Sequence, residues 1–69
     1  MKNTKTQSAE MRMARIGKVL DQVRWDMKRG IIDLISIDHI LDRAEEILTD
    51  EEYDEFSAGK EYIAVYQSA

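Results

Sequence analysis

The sequence predicts an all-α fold, a small three-helix bundle or a helical hairpin with a third helix, completed by homodimerisation. Hydrophobic residues make up 43% of the chain and charged residues 35%, which is too apolar a composition for a disordered protein. The apolar residues recur at steps of three and four rather than alternating, as they do on one face of a helix. Proline, which would interrupt such helices, is absent.

The length of the chain limits how much apolar surface it can bury. A domain of 69 residues buries only about 60% of the surface that its unfolded chain exposes. There is no cysteine and a single histidine, so neither disulfides nor a structural zinc site can compensate. We therefore expect one helical domain over residues 8–69, a flexible tail over residues 1–7, and stabilisation by self-association.

Helix 1 is predicted over residues 8–29. Its apolar side chains have the spacing of a helix that packs lengthwise against another helix. This predicted dimer or core seam consists of Met13, Ile16, Leu20, Val23 and Met27. Gly30 then supplies the left-handed residue that commonly follows a helix end.

Helix 2 is predicted over residues 37–48, with Ser36 as its N-cap. One wide apolar face runs along it, made of Ile37, Ile40, Leu41, Ala44, Ile47 and Leu48. Residues 31–36 allow two interpretations, a short extended connector or an early helical turn.

Helix 3 is predicted over residues 50–66. Thr49 followed by Glu52 is the signature of a capping box at its start. The three-four spacing continues along it through Phe56, Gly59, Ile63 and Tyr66. Glycine inside a helix costs about 1 kcal/mol relative to alanine, so we expect Gly59 either to admit a neighbouring helix or to kink helix 3.

The charge is divided unevenly along the chain. Residues 1–30 hold eight basic and three acidic residues, a net charge of +5, whereas residues 31–69 hold two basic and eleven acidic residues, a net charge of −9. Part of the acidic run lies in the first turn of helix 3, where the helix dipole stabilises carboxylates. The remaining like-charge pairs, such as Asp50 and Asp54, destabilise an isolated helix. Either basic helix 1 or a basic partner would offset that repulsion.

No group of residues indicates an enzyme, a cofactor or a metal site. His39 has Asp38 and Asp42 beside it, but residues bunched in one helical turn do not form a catalytic triad with an oxyanion site. One histidine among scattered carboxylates also lacks the donor set of a metal centre. We expect a non-enzymatic protein in which His39 is a partly exposed residue at the start of a helix.

Trp25 lies opposite the predicted seam of helix 1 and allows two interpretations. The chain itself, or a stacked Arg29, covers the ring; alternatively the ring is an exposed anchor, because tryptophan is enriched among interface hot spots. The residues predicted to bind a partner are Trp25, Tyr62, Tyr66, Asp54 and Glu55.

These features predict a small cytoplasmic protein that binds and modulates, most simply by inhibiting, a larger regulator. The polar first eight residues do not resemble a signal peptide, and no apolar stretch approaches a membrane span. Small acidic proteins of this kind suit regulation or a phage or other mobile element. The alternative is a DNA-binding transcriptional regulator that uses Arg12, Arg15 and Arg24, although the acidic start of helix 3 would repel phosphates.

Overall fold

A computed structural model describes the backbone of residues 4–69 and the side chains from residue 9 onward. Over this range all of the regular secondary structure is α-helix, as predicted, with no strand. It contains four helices rather than three. They are α1 (Thr4–Lys28), α2 (Ile37–Ile47), α3 (Asp50–Ala58) and α4 (Tyr62–Ser68).

Helix α1 is the longest element and ends as the sequence predicts. It begins four residues before the expected start at Ser8, and residues 1–3 of the predicted tail lie outside the described residues. At its end Gly30 adopts φ 80°, and the Ile31 amide donates to the Asp26 carbonyl at 2.9 Å. This 6→1 bond is the Schellman motif, which turns the chain away from the helix.

The core line of α1 differs from the predicted seam. Val19 and Val23 are fully buried, and Ile16 and Leu20 pack only against the edge of the core. At the two ends of the predicted seam, Met13 is 69% exposed and Met27 is 42% exposed. The middle of the predicted seam, Ile16, Leu20 and Val23, therefore contacts the core, whereas its two ends do not, and Val19 of a neighbouring stripe is buried instead. The use of the seam between two copies stays a prediction.

Helix α2 follows its prediction closely. The Ser36 hydroxyl accepts a hydrogen bond from the His39 amide at 3.1 Å and caps the helix. Ile40, Ala44 and Leu48 are buried, so the predicted apolar face is the side that meets the core. Residues 31–36, which precede the cap, form an irregular connector rather than a helical turn.

The predicted helix 3 is divided into two helices. Its capping box is present, with the Thr49 hydroxyl accepting from the Glu52 amide at 3.2 Å. The helix ends at Ala58, however, because Lys60 adopts φ 56°. The Glu61 amide then donates to the Phe56 carbonyl at 2.9 Å, a second Schellman closure. A single helix over 50–66 is therefore wrong, and the break lies one residue beyond the predicted kink at Gly59.

The break returns α4 to the core. Val65 is buried, and Tyr62 packs edge-on against Phe56 with ring centroids 6.3 Å apart. The completed core consists of Val19, Val23, Ile40, Ala44, Leu48, Phe56 and Val65. A straight helix 3 would carry Val65 away from α2, so the turn at Lys60 allows α4 to cover this small core.

The unusual residue at this turn gives a stability test. A left-handed conformation costs a non-glycine residue about 1 kcal/mol relative to glycine, so Lys60→Gly should stabilise the protein by about that amount. For a domain of this size, the gain corresponds to a rise of about 4–8 °C in melting temperature. Thermal unfolding followed by circular dichroism measures it.

Two variants control for this prediction. Lys60→Ala keeps the strained backbone and should bring no such gain, which separates backbone strain from the loss of the lysine charge. Gly59→Ala should destabilise the protein, because an added Cβ would lie 2.9 Å from the Glu55 carbonyl oxygen. Equal melting temperatures for Lys60→Gly and Lys60→Ala would contradict the argument.

Candidate functional site

Asp26 is fully buried, and it is the only charged residue buried among those whose side chains the structure describes. It lies three residues after Val23 and seven after Val19, so it occupies the core stripe of α1. A charge can remain in such a position only when it is paired and hydrogen-bonded, because removal from water otherwise costs several kcal/mol.

Four donated hydrogen bonds satisfy the Asp26 carboxylate. Arg43 of α2 donates from Nε to Oδ2 at 2.7 Å and from Nη2 to Oδ1 at 3.1 Å. His39 donates from Nε2 to Oδ2 at 2.7 Å, and Gln22 donates from Nε2 to Oδ1 at 3.0 Å. Each oxygen thus accepts two hydrogen bonds, which fills its two lone pairs. This group is called the Asp26 cluster below.

The cluster keeps Asp26 ionised. Burial raises the pKa of this carboxyl, but the hydrogen bonds from Arg43, His39 and Gln22, together with the charge of Arg43, outweigh burial and lower the pKa from 3.8 to about 2. The hydrogen bond to Asp26, followed by the one to Glu46, raises the pKa of Arg43. The pair is therefore charged at neutral pH and links α1 to α2.

The side chains of the Asp26 cluster are hydrogen-bonded to one another. Among the described residues, Asp26 and His39 do not line any of the main surface depressions. His39 lies at the start of a helix as predicted, but its partner is Asp26 of another helix, not the neighbouring Asp38 or Asp42. The arrangement positions two helices. The sequence does contain a signal for this arrangement, because Asp26 continues the helical spacing of Val19 and Val23. Adding up the charges of a segment does not reveal that spacing.

Three residues of the acidic half of the chain are paired with basic α1. Arg15 donates from Nε to Glu52 Oε1 at 2.7 Å, and its Nη2 donates to the other carboxylate oxygen. The hydrogen bond from Arg15 lowers the pKa of Glu52 to about 2, against the opposing effect of burial. Arg12 contacts both Glu55, with Nε and Oε1 3.0 Å apart, and Glu61. These ion pairs therefore join α1 to α3 and to the turn that follows α3.

This pairing distinguishes the two carboxylates predicted to bind a partner, Asp54 and Glu55. Glu55 contacts Arg12 inside the chain, although its side chain remains 67% exposed. Asp54 is exposed, and its side chain takes part in no ion pair among the residues with described side chains. Of the two predicted partner-binding carboxylates, Asp54 is thus the one that a partner could contact without displacing an internal ion pair.

Trp25 combines both interpretations offered by the sequence. Arg29 Cζ lies 5.7 Å and Lys28 Nζ 6.0 Å from the centroid of the ring, within the range of cation–π contacts. The residue nevertheless remains 49% exposed. It lines a shallow depression between α1 and α2 with Lys18, Asp21, Gln22 and Ile47. This group, together with Lys28 and Arg29, is called the Trp25 surface below.

The predicted tyrosines do not extend the Trp25 surface. Tyr62 is half-buried against Phe56 and belongs to the edge of the core. Tyr66 is 48% exposed, but it lines a separate depression with Leu34, Ile37 and neighbours in the α1–α2 connector. The structure therefore presents two distinct aromatic surfaces.

The described residues show neither a metal site nor a membrane-spanning helix. Among the residues with described side chains, no group of three potential ligands is arranged to hold a metal ion. None of the described helices has the length and apolar character needed to cross a membrane. Comparisons with protein-family models, curated proteins and solved structures find no match to this chain.

Neutralising Asp26 should strongly destabilise the protein. Asp26→Asn removes the charge that compensates Arg43 and leaves an amide nitrogen where an acceptor is needed, which should cost about 3 kcal/mol of unfolding free energy. Chemical denaturation at pH 7 measures this loss. Asp21→Asn, an exposed change on the same helix, should stay within about 0.5 kcal/mol of the unmodified chain. Equal stability of the two variants would show that the cluster contributes little.

The depressed carboxyl pKa values predict a loss of stability in acid. Asp26 and Glu52 have pKa values of about 2, below their ordinary values of 3.8 and 4.5. As the pH falls, these carboxylates therefore take up protons in the unfolded chain before they do so in the folded one, which favours unfolding. Their contribution is fully present above those ordinary values and is lost as the pH falls through about 2. Denaturation midpoints between pH 7 and pH 2 should fall across this window. The double variant Asp26→Asn/Glu52→Gln should show a flatter dependence.

Proposed function

We propose that this chain is a non-enzymatic cytoplasmic homodimer that binds a larger regulatory protein and inhibits it by surface contact. The observation that carries the proposal is the position of Trp25. A large indole ring remains half exposed on the longest helix, although the small core would gain from burying it.

The Trp25 surface has the chemistry of a binding anchor. Tryptophan and arginine are the residues most enriched among interface hot spots, where a few side chains supply most of the affinity. Because α1 is joined to α2 through Asp26 and to α3 through Arg15, Trp25 is held on a rigid helix. Less side-chain and backbone order then has to be gained on binding.

Charge around the ring favours an acidic partner surface at this point. Lys18, Lys28 and Arg29 surround Trp25, with Asp21 as the nearby acidic residue. The sequence, by contrast, groups Trp25 with the carboxylates Asp54 and Glu55 as partner-binding residues. Asp54 is on α3, whereas the Trp25 surface lies between α1 and α2, so an acidic contribution from Asp54 would require a partner that reaches around the domain.

Self-association is the second part of the proposal. The core contains only seven buried hydrophobic residues among those described, while Met13 and Met27 on α1 remain substantially exposed. A dimer that covers these side chains would supply apolar burial that a domain of this size otherwise lacks.

The DNA-binding alternative receives less support from the residues first suggested for it. Arg12 and Arg15 contact glutamates within the chain, and Arg24 donates to the Ser68 carbonyl at 2.7 Å. A phosphate would have to compete with these contacts. The cations around Trp25 provide another route to a nucleic acid, so duplex DNA is included in the binding test below.

Trp25→Ala should weaken partner binding about 30-fold, or about 2 kcal/mol, if the ring is a central hot spot. Its exposure means that the melting temperature should change little. The partner is first isolated with the unmodified chain, and affinities are then measured by calorimetry with purified components. Ile63→Ala serves as the control, because Ile63 is a similarly exposed apolar residue on α4 and should bind normally.

Two outcomes would overturn the proposal. If Trp25→Ala unfolds the protein, the ring belongs to the core and cannot be assigned to a partner. If unmodified protein forms a specific complex with duplex DNA, and its affinity falls steeply with salt as phosphate contacts require, the DNA-binding alternative replaces it.

A further inference from the structure

Helix α1 carries a second stripe beside its core line. Its members recur alternately at three and four residues, the spacing of a helix that packs lengthwise against another. They are Glu10, Met13, Gly17, Leu20, Arg24 and Met27. This set is called the α1 stripe below.

The α1 stripe is largely open to solvent. Met13 is 69% exposed and Met27 is 42% exposed, while Leu20 meets the core only at its edge. A Cβ added at Gly17 would meet no atom within 4 Å, so nothing within the described structure occupies the space over this glycine. The middle of the stripe therefore offers a shallow hole beside a leucine that can act as a knob.

We propose that the α1 stripe binds a second copy of this chain, with the two α1 helices packed antiparallel. The inference rests on the proposed self-association and gives it a surface and a direction. When the stripe is read in opposite directions on the two copies, Leu20 of one lies over Gly17 of the other. Each leucine then enters a hole that lacks a side chain, as in knobs-into-holes packing.

Charge complementarity selects the direction. Glu10 and Lys28 are 18 residues apart in the sequence, about five helical turns, so both lie along one line of the helix. An antiparallel pair places Glu10 of each copy near Lys28 of the other, whereas a parallel pair opposes like charges at both ends. Exposed ion pairs contribute little affinity, so these charges set direction while the apolar centre supplies burial.

Arg24 is compatible with this arrangement. Its guanidinium donates to the Ser68 carbonyl of α4 at 2.7 Å, which draws the charge toward α4. The methylene stem remains on the stripe, where it can pack against Met13 of the second copy. Long basic side chains commonly bury their stems in this way while keeping the charged end in a polar environment.

The Trp25 surface remains accessible in such a dimer. Trp25 lies five residues after Leu20, a rotation of about 140° around the helix, and faces the depression shared with α2. Lys28 is the one residue that both surfaces use, because its ammonium lies 6.0 Å from the centroid of the Trp25 ring. The ring itself lies outside the α1 stripe, so a second copy can occupy the stripe while a partner protein contacts Trp25.

Disulfide trapping tests the direction directly, because the chain has no cysteine of its own. Glu10→Cys and Lys28→Cys chains are mixed under mild oxidation, and the products are separated by non-reducing electrophoresis. The antiparallel arrangement predicts mainly the mixed disulfide, with little cross-linking of either variant alone. Predominant Glu10→Cys self-linkage would overturn the proposed direction while leaving self-association intact.

Gly17→Gln tests the stripe without damaging the monomer. Glutamine is a better helix former than glycine, and its Cβ meets open space, so the helices should form while the hole is filled. Sedimentation equilibrium should show dimerisation weakened at least tenfold, with helical circular dichroism retained. Leu20→Asp is less informative because Leu20 also touches the core.

Charge reversal supplies the control for specificity. Glu10→Lys and Lys28→Glu should each weaken the dimer, and their combination in one chain should restore it. A monomeric unmodified chain at all accessible concentrations would overturn self-association and the stripe together. A dimer unaffected by Gly17→Gln and by both single reversals would overturn the stripe alone.

Discussion

The buried Asp26 carboxylate is the interaction on which the rest of the structure depends. It places a negative charge in the last turn of α1, near the negative end of the helix dipole, where an isolated helix would be destabilised. Arg43 and His39 of α2 supply the compensating donors at 2.7 Å. The end of α1 is therefore stable only when α2 is packed against it, so the two helices should form as one cooperative unit. A leucine at this position could pack in several registers, whereas the cluster admits one.

The division of charge along the sequence has a structural purpose as well as a surface consequence. Arg12 and Arg15 draw the acidic segment around Glu52 onto α1, and the Thr49 cap fixes where that segment becomes helical. Arg12 and Arg15 are used in this pairing, whereas Lys18, Lys28 and Arg29 lie beside Trp25. The same charge pattern thus assembles the domain and leaves an aromatic surface with a basic rim.

Local signals in the sequence predicted the elements whose causes are local. The Ser36 cap, the Thr49 capping box and the left-handed Gly30 each depend on a few neighbouring residues, and all three are present. The turn at Lys60 was missed because lysine has no preference for a left-handed conformation, and only the tertiary gain of burying Val65 favours it. On α1 the predicted seam includes buried Val23 but omits buried Val19, since periodicity gives the spacing of a stripe but not which of several neighbouring stripes faces the core most directly. Asp26 was missed because a carboxylate enters a core only through partners on another helix.

Trp25 is the only tryptophan in the chain, and its half-exposed ring lies beside two cations. Its fluorescence consequently reports on one defined place at the surface. Because the ring is already hydrated in the folded state, unfolding of the domain should change the emission wavelength only modestly. A protein that covers the ring and displaces the flanking cations would shift the emission toward the blue. The molecule therefore carries an intrinsic spectroscopic probe that distinguishes docking from unfolding without any added label.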